Sequence, residues 1–283
     1  MRLARVGEFA REDAGVLGPD GRVLLLPSRL GDVDAEFFRR GSMTEVRRLL
    51  DAGELDETLP GTVRFGAPIA KPEKVVCIGL NYRDHAKETG SAIPEEPIVF
   101  MKAPNCVVGP NDEILIPRGS THTDWEVELG VVIGARARYL ESPEDARGVI
   151  AGYCASNDVS EREFQLHRGG QWVKGKSCET FNPLGPWFVS ADEVADPQDL
   201  RLSLSVNGVT RQDGSTRDMI FGVHHIIWYL SQFMVLEPGD LVNTGTPAGV
   251  SQGHDDVAFL QPGDVVELTV EELGTQRNVI GQA

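Results

Sequence analysis

The chain has 283 residues, 41 % of them hydrophobic, enough for one large or two modest packed domains. Its formal net charge of −16, with no basic cluster, opposes binding to nucleic acid or to an anionic membrane. Four cysteines, Cys77, Cys106, Cys154 and Cys178, are scattered without a Cys-x-x-Cys pair, which argues against zinc or a disulfide framework and fits a reducing cytoplasm.

In chain order, the first residues carry acids early and lack a long apolar block, so no secretory leader is expected. Residues 1–70 read as a small N-terminal α+β domain. Short strands near 3–9 and 22–26 are joined by the turn Gly18-Pro-Asp-Gly21. A helix follows: Ser42 with Glu45 has a capping-box pattern, Val46, Leu49 and Leu50 form an apolar stripe, and Gly53 supplies the stop. The two prolines of 66–72 mark a linker into a larger domain, residues 71–283.

That larger part is dominated by strand-like runs at 75–78, 98–101, 129–133, 202–206, 241–243 and 265–270. Ser142, Pro143 and Asp145 open one short helix, and Ile227, Leu230, Ser231 and Met234 fall on one face of another. The apolar segment 226–236 is too short to span a membrane and contains Ser231 and Gln232. Asn207-Gly208 after an apolar alternation signals a hairpin. Strands do not alternate with long helices, so the spacing predicts a β-rich α+β fold with mixed or antiparallel sheets rather than a doubly wound one.

Glu126 and Glu128 are one residue apart, and on a strand they face the same way while Val127 and Leu129 face the other. The run 129–133 reads as buried on both sides, which puts two carboxylates near the interior. Asp158, at the end of another apolar run, is a third acid of the same kind; such hard oxygen ligands select magnesium, manganese or calcium. After Gly79, Asn81 is expected to cap a short helix that Gly90 ends, with His85 and Glu88 on one face. There the carboxylate would polarise the imidazole as a general base. Lys176, in a glycine-punctuated stretch, would stabilise a developing enolate or carboxylate. Arg162 and Gln165 share a helical face after Asp158, and the loop Thr244-Gly-Thr246-Pro-Ala-Gly249 can present backbone N–H groups and hydroxyls to an anion. Each pattern also has a plain reading: a solvated strand face, a surface ion pair, a solvated lysine, a glycine turn.

Asn81-Tyr82-x-x-His85-x-x-Glu88, Glu126-x-Glu128, Asn157-Asp158-x-x-x-Arg162-x-x-Gln165, Gly175-Lys176 and Thr244-Gly-Thr-Pro-Ala-Gly249, in unbroken order over about 71–260, resemble the fumarylacetoacetate hydrolase family. The segments 170–176 and 118–126 are most similar to bacterial members acting on 2,4-diketo-3-deoxy sugar acids, the acylpyruvase side of the family. The resemblance implies a mixed β-sheet roll, a cytoplasmic homodimer, and magnesium or manganese held by Glu126, Glu128 and Asp158, beneath a lid carrying His85 and Glu88. Glu163 and Glu179 stand where family members often have Asp.

The expected activity is hydrolysis of a carbon–carbon bond in a 2,4-dioxo acid to pyruvate and a second carboxylic acid. His85, Glu88 and Lys176 would be catalytic, and Arg162, Gln165 and Thr246 would orient the substrate. Oxaloacetate decarboxylation, isomerisation of a hydroxy-diene-dioate and ureidoglycolate lysis need much of the same site and stay open. So does a non-enzymatic binding module stabilised by calcium.

Overall fold

A computed structural model of the chain describes residues 1–18, 20–57, 63–254 and 256–283. The strand Val127–Ile133 lies at the centre, and all seven of its residues are buried. It pairs antiparallel with Ile150–Asn157 on one side and Leu241–Asn243 on the other. Burial on both faces follows from alternation. Val127, Leu129, Val131 and Ile133 enter one apolar cluster, whereas Val132 enters a second with Val75, Cys77, Cys154 and Leu241. Glu126 and Glu128 therefore project opposite the larger cluster.

Among the described residues this strand belongs to a ten-stranded mixed sheet, in which Leu241–Asn243 runs parallel to Val75–Gly79 and Ile98–Lys102 forms an edge. A five-stranded sheet, Val209–Ser215, Arg201–Val206, Val265–Val270, Gly274–Gln282 and Ile114–Ile116, packs over the larger cluster through Leu202, Leu204, Val266 and Leu268. The helix Val223–Ser231 adds Ile226, Ile227 and Leu230 to the same core. At Asn207 and Gly208 the hairpin turns with φ of 52° and 77°, as a two-residue turn of the primed type requires.

The sheet continues across the boundary expected at about residue 70. Arg2–Val6 pairs with Phe188–Ser190, and Asp13–Leu17 and Val23–Leu25 follow outward. The segment 66–72, expected as a linker, is packed inside: Ala67, Ile69 and Ala70 are buried, and Ala70 N–H donates to Val33 O at 2.8 Å. Its apolar residues outweigh the two prolines. Of the turn expected at 18–21, Pro19 lies outside the described residues, and Gly21 N–H donates to Gly18 O at 3.0 Å.

Two helix starts behave differently. Ser142 opens the short helix Pro143–Gly148 as expected, its N–H donating to Asp145 Oδ2 at 2.9 Å, whereas the Ser42–Ala52 helix begins from Gly41 at φ 65°, with Ser42 already inside it. Glu45 instead pairs with Arg29 and Arg48, both at 2.9 Å. No helix among the described residues is long and apolar enough to cross a membrane.

Candidate active site

Ligand atoms of Glu126, Glu128 and Asp158 lie within 4.8 Å of one another, and all three residues are buried. Strand pairing brings them together. Val127 faces Asn157 across the ladder, and Asp158 N–H donates to Glu126 O at 2.9 Å, so the chain leaving one strand returns its acid beside the other two. Lys176 bridges two of them, with Nζ 2.7 Å from Glu126 Oε2 and 2.9 Å from Asp158 Oδ2. Lys102, also buried, donates to Asp158 Oδ1 and to the carbonyls of Val159 and Phe181.

The charges do not balance. Asp124, Glu126, Glu128 and Asp158 face Lys102, Lys176 and Arg162, and Glu128 is the acid without a cation of its own; its Oε2 accepts from Gly245 N–H at 2.8 Å. Burial, then the neighbouring Asp158 and Glu126, push its carboxyl well above the usual range. Burial pushes Glu126 the same way, but the charges of Lys176 and Arg162 outweigh it and bring this carboxyl down to about 2. Burial acts against the Lys176 ammonium too, yet Asp158 and Glu126 raise it above the ordinary lysine value. Three convergent carboxylates, all hard oxygen donors with one unneutralised, fit a divalent magnesium or manganese ion.

Above them the short helix Arg83–Glu88 carries His85 and Glu88 on one face, Nδ1 to Oε2 at 3.1 Å. Asn81 does not cap it; the N-cap is Tyr82. Asn81 is buried and ties two other loops, its Nδ2 donating to Phe221 O and Thr244 O and its Oδ1 accepting from Phe221 N–H. Glu88 also accepts from Gly249 N–H at 2.8 Å and from His254 Nε2 at 2.6 Å. Burial raises the Glu88 carboxyl, but these bonds from His85, Gly249 and His254 more than offset it and leave it below the ordinary value.

The glycine-rich loop does present N–H groups to anions, and the anions are the protein's own: Gly245 serves Glu128 and Gly249 serves Glu88. The Thr246 hydroxyl donates to Val127 O and accepts from Gln212 Nε2, both at 2.8 Å. The Arg162 guanidinium is likewise engaged, with Asp124, with Glu126 at 2.8 Å and with Gln165 Oε1 at 3.1 Å. Arg162, Gln165 and Thr246 all line a cavity of about 550 Å³ together with His85, Glu88, Glu126, Glu128 and Lys176. The structure thus gathers all but one of the residues expected at the site around one space, with Asp158 just beneath through Lys176.

The fumarylacetoacetate (FAA) hydrolase C-terminal family matches residues 74–281. The chain belongs to that family. It is 45 % identical over its full length to the 2,4-didehydro-3-deoxy-L-rhamnonate hydrolase of Sphingomonas sp. (strain SKA58), covering 96 % of that relative. Among solved structures it is similar to the fumarylacetoacetate hydrolase of Exiguobacterium antarcticum, with TM-score 0.87, 35 % identity and full coverage of both chains. It is also similar to the maleylpyruvate hydrolase of Sphingobium sp. SYK-6 in complex with manganese(II) and pyruvate, with TM-score 0.82, 27 % identity and full coverage of both. The mixed β-sheet roll is that of the family, and the chain is an enzyme of the hydrolase kind.

Lys102 and His254 were not singled out from the sequence, and Asp124 only as part of the segment 118–126. Asp124 accepts from Arg162 and from the N–H groups of Ser251 and Gln252, so it ties that loop to Arg162. Its signal was its place two residues before Glu126; in the fold it ends the short strand Thr123–Asp124, which pairs with Ser160–Glu161. Lys102 and His254 stand alone in their segments and offered none.

Proposed function

We propose that this family member is a magnesium- or manganese-dependent hydrolase that cleaves a carbon–carbon bond in 2,4-dioxo acids, with a 2,4-diketo-3-deoxy sugar acid as its substrate. The observation that carries the reading is the convergence of Glu126, Glu128 and Asp158 beneath a cavity also walled by His85 and Glu88 and edged by Lys176. The name of the Sphingomonas relative supports the substrate class. So does the cavity's mixed lining, where Phe100 and Trp172 stand with Thr89, Ser91 and Gln252, a surface suited to a short hydroxylated chain.

Glu126, Glu128 and Asp158 would hold the ion, which supplies Lewis acidity toward a 2-oxo acid. His85 Nδ1 is held by Glu88, so Nε2 is the nitrogen that takes a proton from water, and Glu88 balances the imidazolium that forms. The hydroxide adds to C4, the C3–C4 bond breaks, and its electron pair passes to C3 to give the pyruvate enolate and the second carboxylic acid. The proton on His85 then returns to C3. Lys176 Nζ, beside Glu126 and Asp158, stabilises the enolate charge. Replacing it in Lys176→Met lowers turnover on the order of 10²-fold.

The test is release of pyruvate from a 2,4-diketo-3-deoxy sugar acid and from simpler acylpyruvates, with Mg²⁺ or Mn²⁺ present. His85→Ala should abolish it. The reading is overturned if no dioxo acid yields pyruvate while oxaloacetate loses carbon dioxide or a hydroxy-diene-dioate isomerises.

A further inference from the structure

The His85–Glu88 pair does not stand by itself. Glu88 sits between two imidazoles: Oε2 faces His85 Nδ1 at 3.1 Å, and Oε1 faces His254 Nε2 at 2.6 Å. An ionised carboxylate only accepts, so both ring nitrogens that face it carry protons. His254 comes from a different part of the chain, the one-turn helix Ser251–Gly253 and its following residue. The contact therefore joins the lid helix Arg83–Glu88 to the opposite rim of the cavity, which Gln252 and Gly253 line.

We propose that His254 is a positioning residue that latches the lid helix onto this rim through Glu88, and so fixes the orientation of the His85 ring. The inference rests on the reading of His85 as the general base.

Four features support it. The Glu88 side chain is 8 % exposed while that of His254 is 42 % exposed, so the contact lies where the cavity opens. Only close approach of the rim backbone allows it: a Cβ on Gly253 would meet Glu88 Cγ at 2.6 Å and Cδ at 2.9 Å. The remaining lid-to-rim bonds are few, with Gly249 N–H reaching the same Oε1 at 2.8 Å and Ala248 N–H reaching Asp84 at a longer 3.3 Å. Behind the latch is a second cavity of about 570 Å³, lined by His254, His122 and His167, with Arg162 and Gln252 common to both cavities. The rim thus has space on both sides, with little packed behind the latch.

The charge-assisted bond holds the carboxylate plane, and the carboxylate holds the imidazole. Without His254, Oε1 keeps, among the described residues, only the Gly249 donor, and the base loses part of its alignment. Glutamine at 254 can supply an N–H at the same reach, whereas alanine cannot.

The test combines a rate with a reading of the lid that needs no substrate. His254→Ala is expected to lower kcat about ten-fold with metal affinity unchanged. His254→Gln should recover most of that loss. Amide hydrogen exchange over residues 83–88 should be faster in His254→Ala and near the parent rate in His254→Gln. Gly253→Ala, which leaves the imidazole in place but pushes the rim off Glu88, should also speed lid exchange. The proposal is overturned if His254→Ala leaves kcat and lid exchange unaltered, including the case in which only thermal stability falls. Failure of the base assignment is separate: it appears as pyruvate release surviving His85→Ala, and lid exchange still judges the latch.

Discussion

Glu128 is the residue at which the buried charge fails to close. Its neighbours Glu126 and Asp158 have lysines, whereas Glu128 has a backbone N–H, and burial with two adjacent carboxylates raises its carboxyl well above 4.5. A group shifted up in this way keeps its proton at pH values where an ordinary glutamate has lost it. Metal binding must expel that proton. Two results are expected of the metal-free protein. Mg²⁺ or Mn²⁺ affinity rises with pH until Glu128 ionises, and the apparent binding enthalpy varies between buffers of different ionisation enthalpy, revealing proton release. In Glu128→Gln that buffer dependence disappears along with most of the affinity; a dependence that survives the substitution would place the proton elsewhere. The sequence made this residue legible because strand alternation pairs it with Glu126 and the following apolar run buries both. Lys102 was hidden for the opposite reason: it ends an apolar strand as a single charge with no partner nearby in sequence, since Asp158 lies 56 residues away.

Between elements, the site is assembled by loops held from behind. Asn81 was expected as a helix cap, a local role that its position suggests. It instead makes three long-range bonds that join the loop before the helix Arg83–Glu88 to Phe221 and to the glycine-rich loop at Thr244. Gly245, at φ 99°, belongs to the same close contact, because a Cβ there would lie 2.7 Å from Asn81 Cβ. Asn81→Ala removes all three bonds and strands two carbonyls and one N–H in a buried place. Urea denaturation should show a loss of about 3 kcal/mol. A loss under 1 kcal/mol would mean that water replaces the side chain freely. Apolar runs revealed the strands of the central sheet, and the Asn-Gly pair revealed the hairpin. The strand Gly274–Gln282 escaped because its inward residues include Gln276 and Asn278, which are buried and bonded to backbone carbonyls. Alternation of polarity cannot reveal a strand whose buried face is itself polar.

Across the whole molecule, the formal charge of −16 sets the terms on which the proposed anionic substrate would arrive. Lys102, Lys176 and Arg162 add little long-range attraction, because each is paired with a carboxylate of the protein, and Lys176 acts only on charge that develops beside it. On the proposed reading a bound dication would supply the local attraction, yet the approach from bulk water crosses a repulsive field. Screening reaches that field before it reaches the buried site: the Debye length falls from roughly 30 Å at 0.01 M salt to about 8 Å at 0.15 M. With metal saturating, kcat/KM for a 2,4-dioxo acid should therefore rise a few-fold, roughly two to five, over this range while kcat stays constant. An uncharged amide analogue should show no such rise, which separates substrate repulsion from a general effect of salt on the fold. A kcat/KM that falls with salt would instead mean that a local positive potential steers the substrate in, and the net charge would then have no bearing on catalysis.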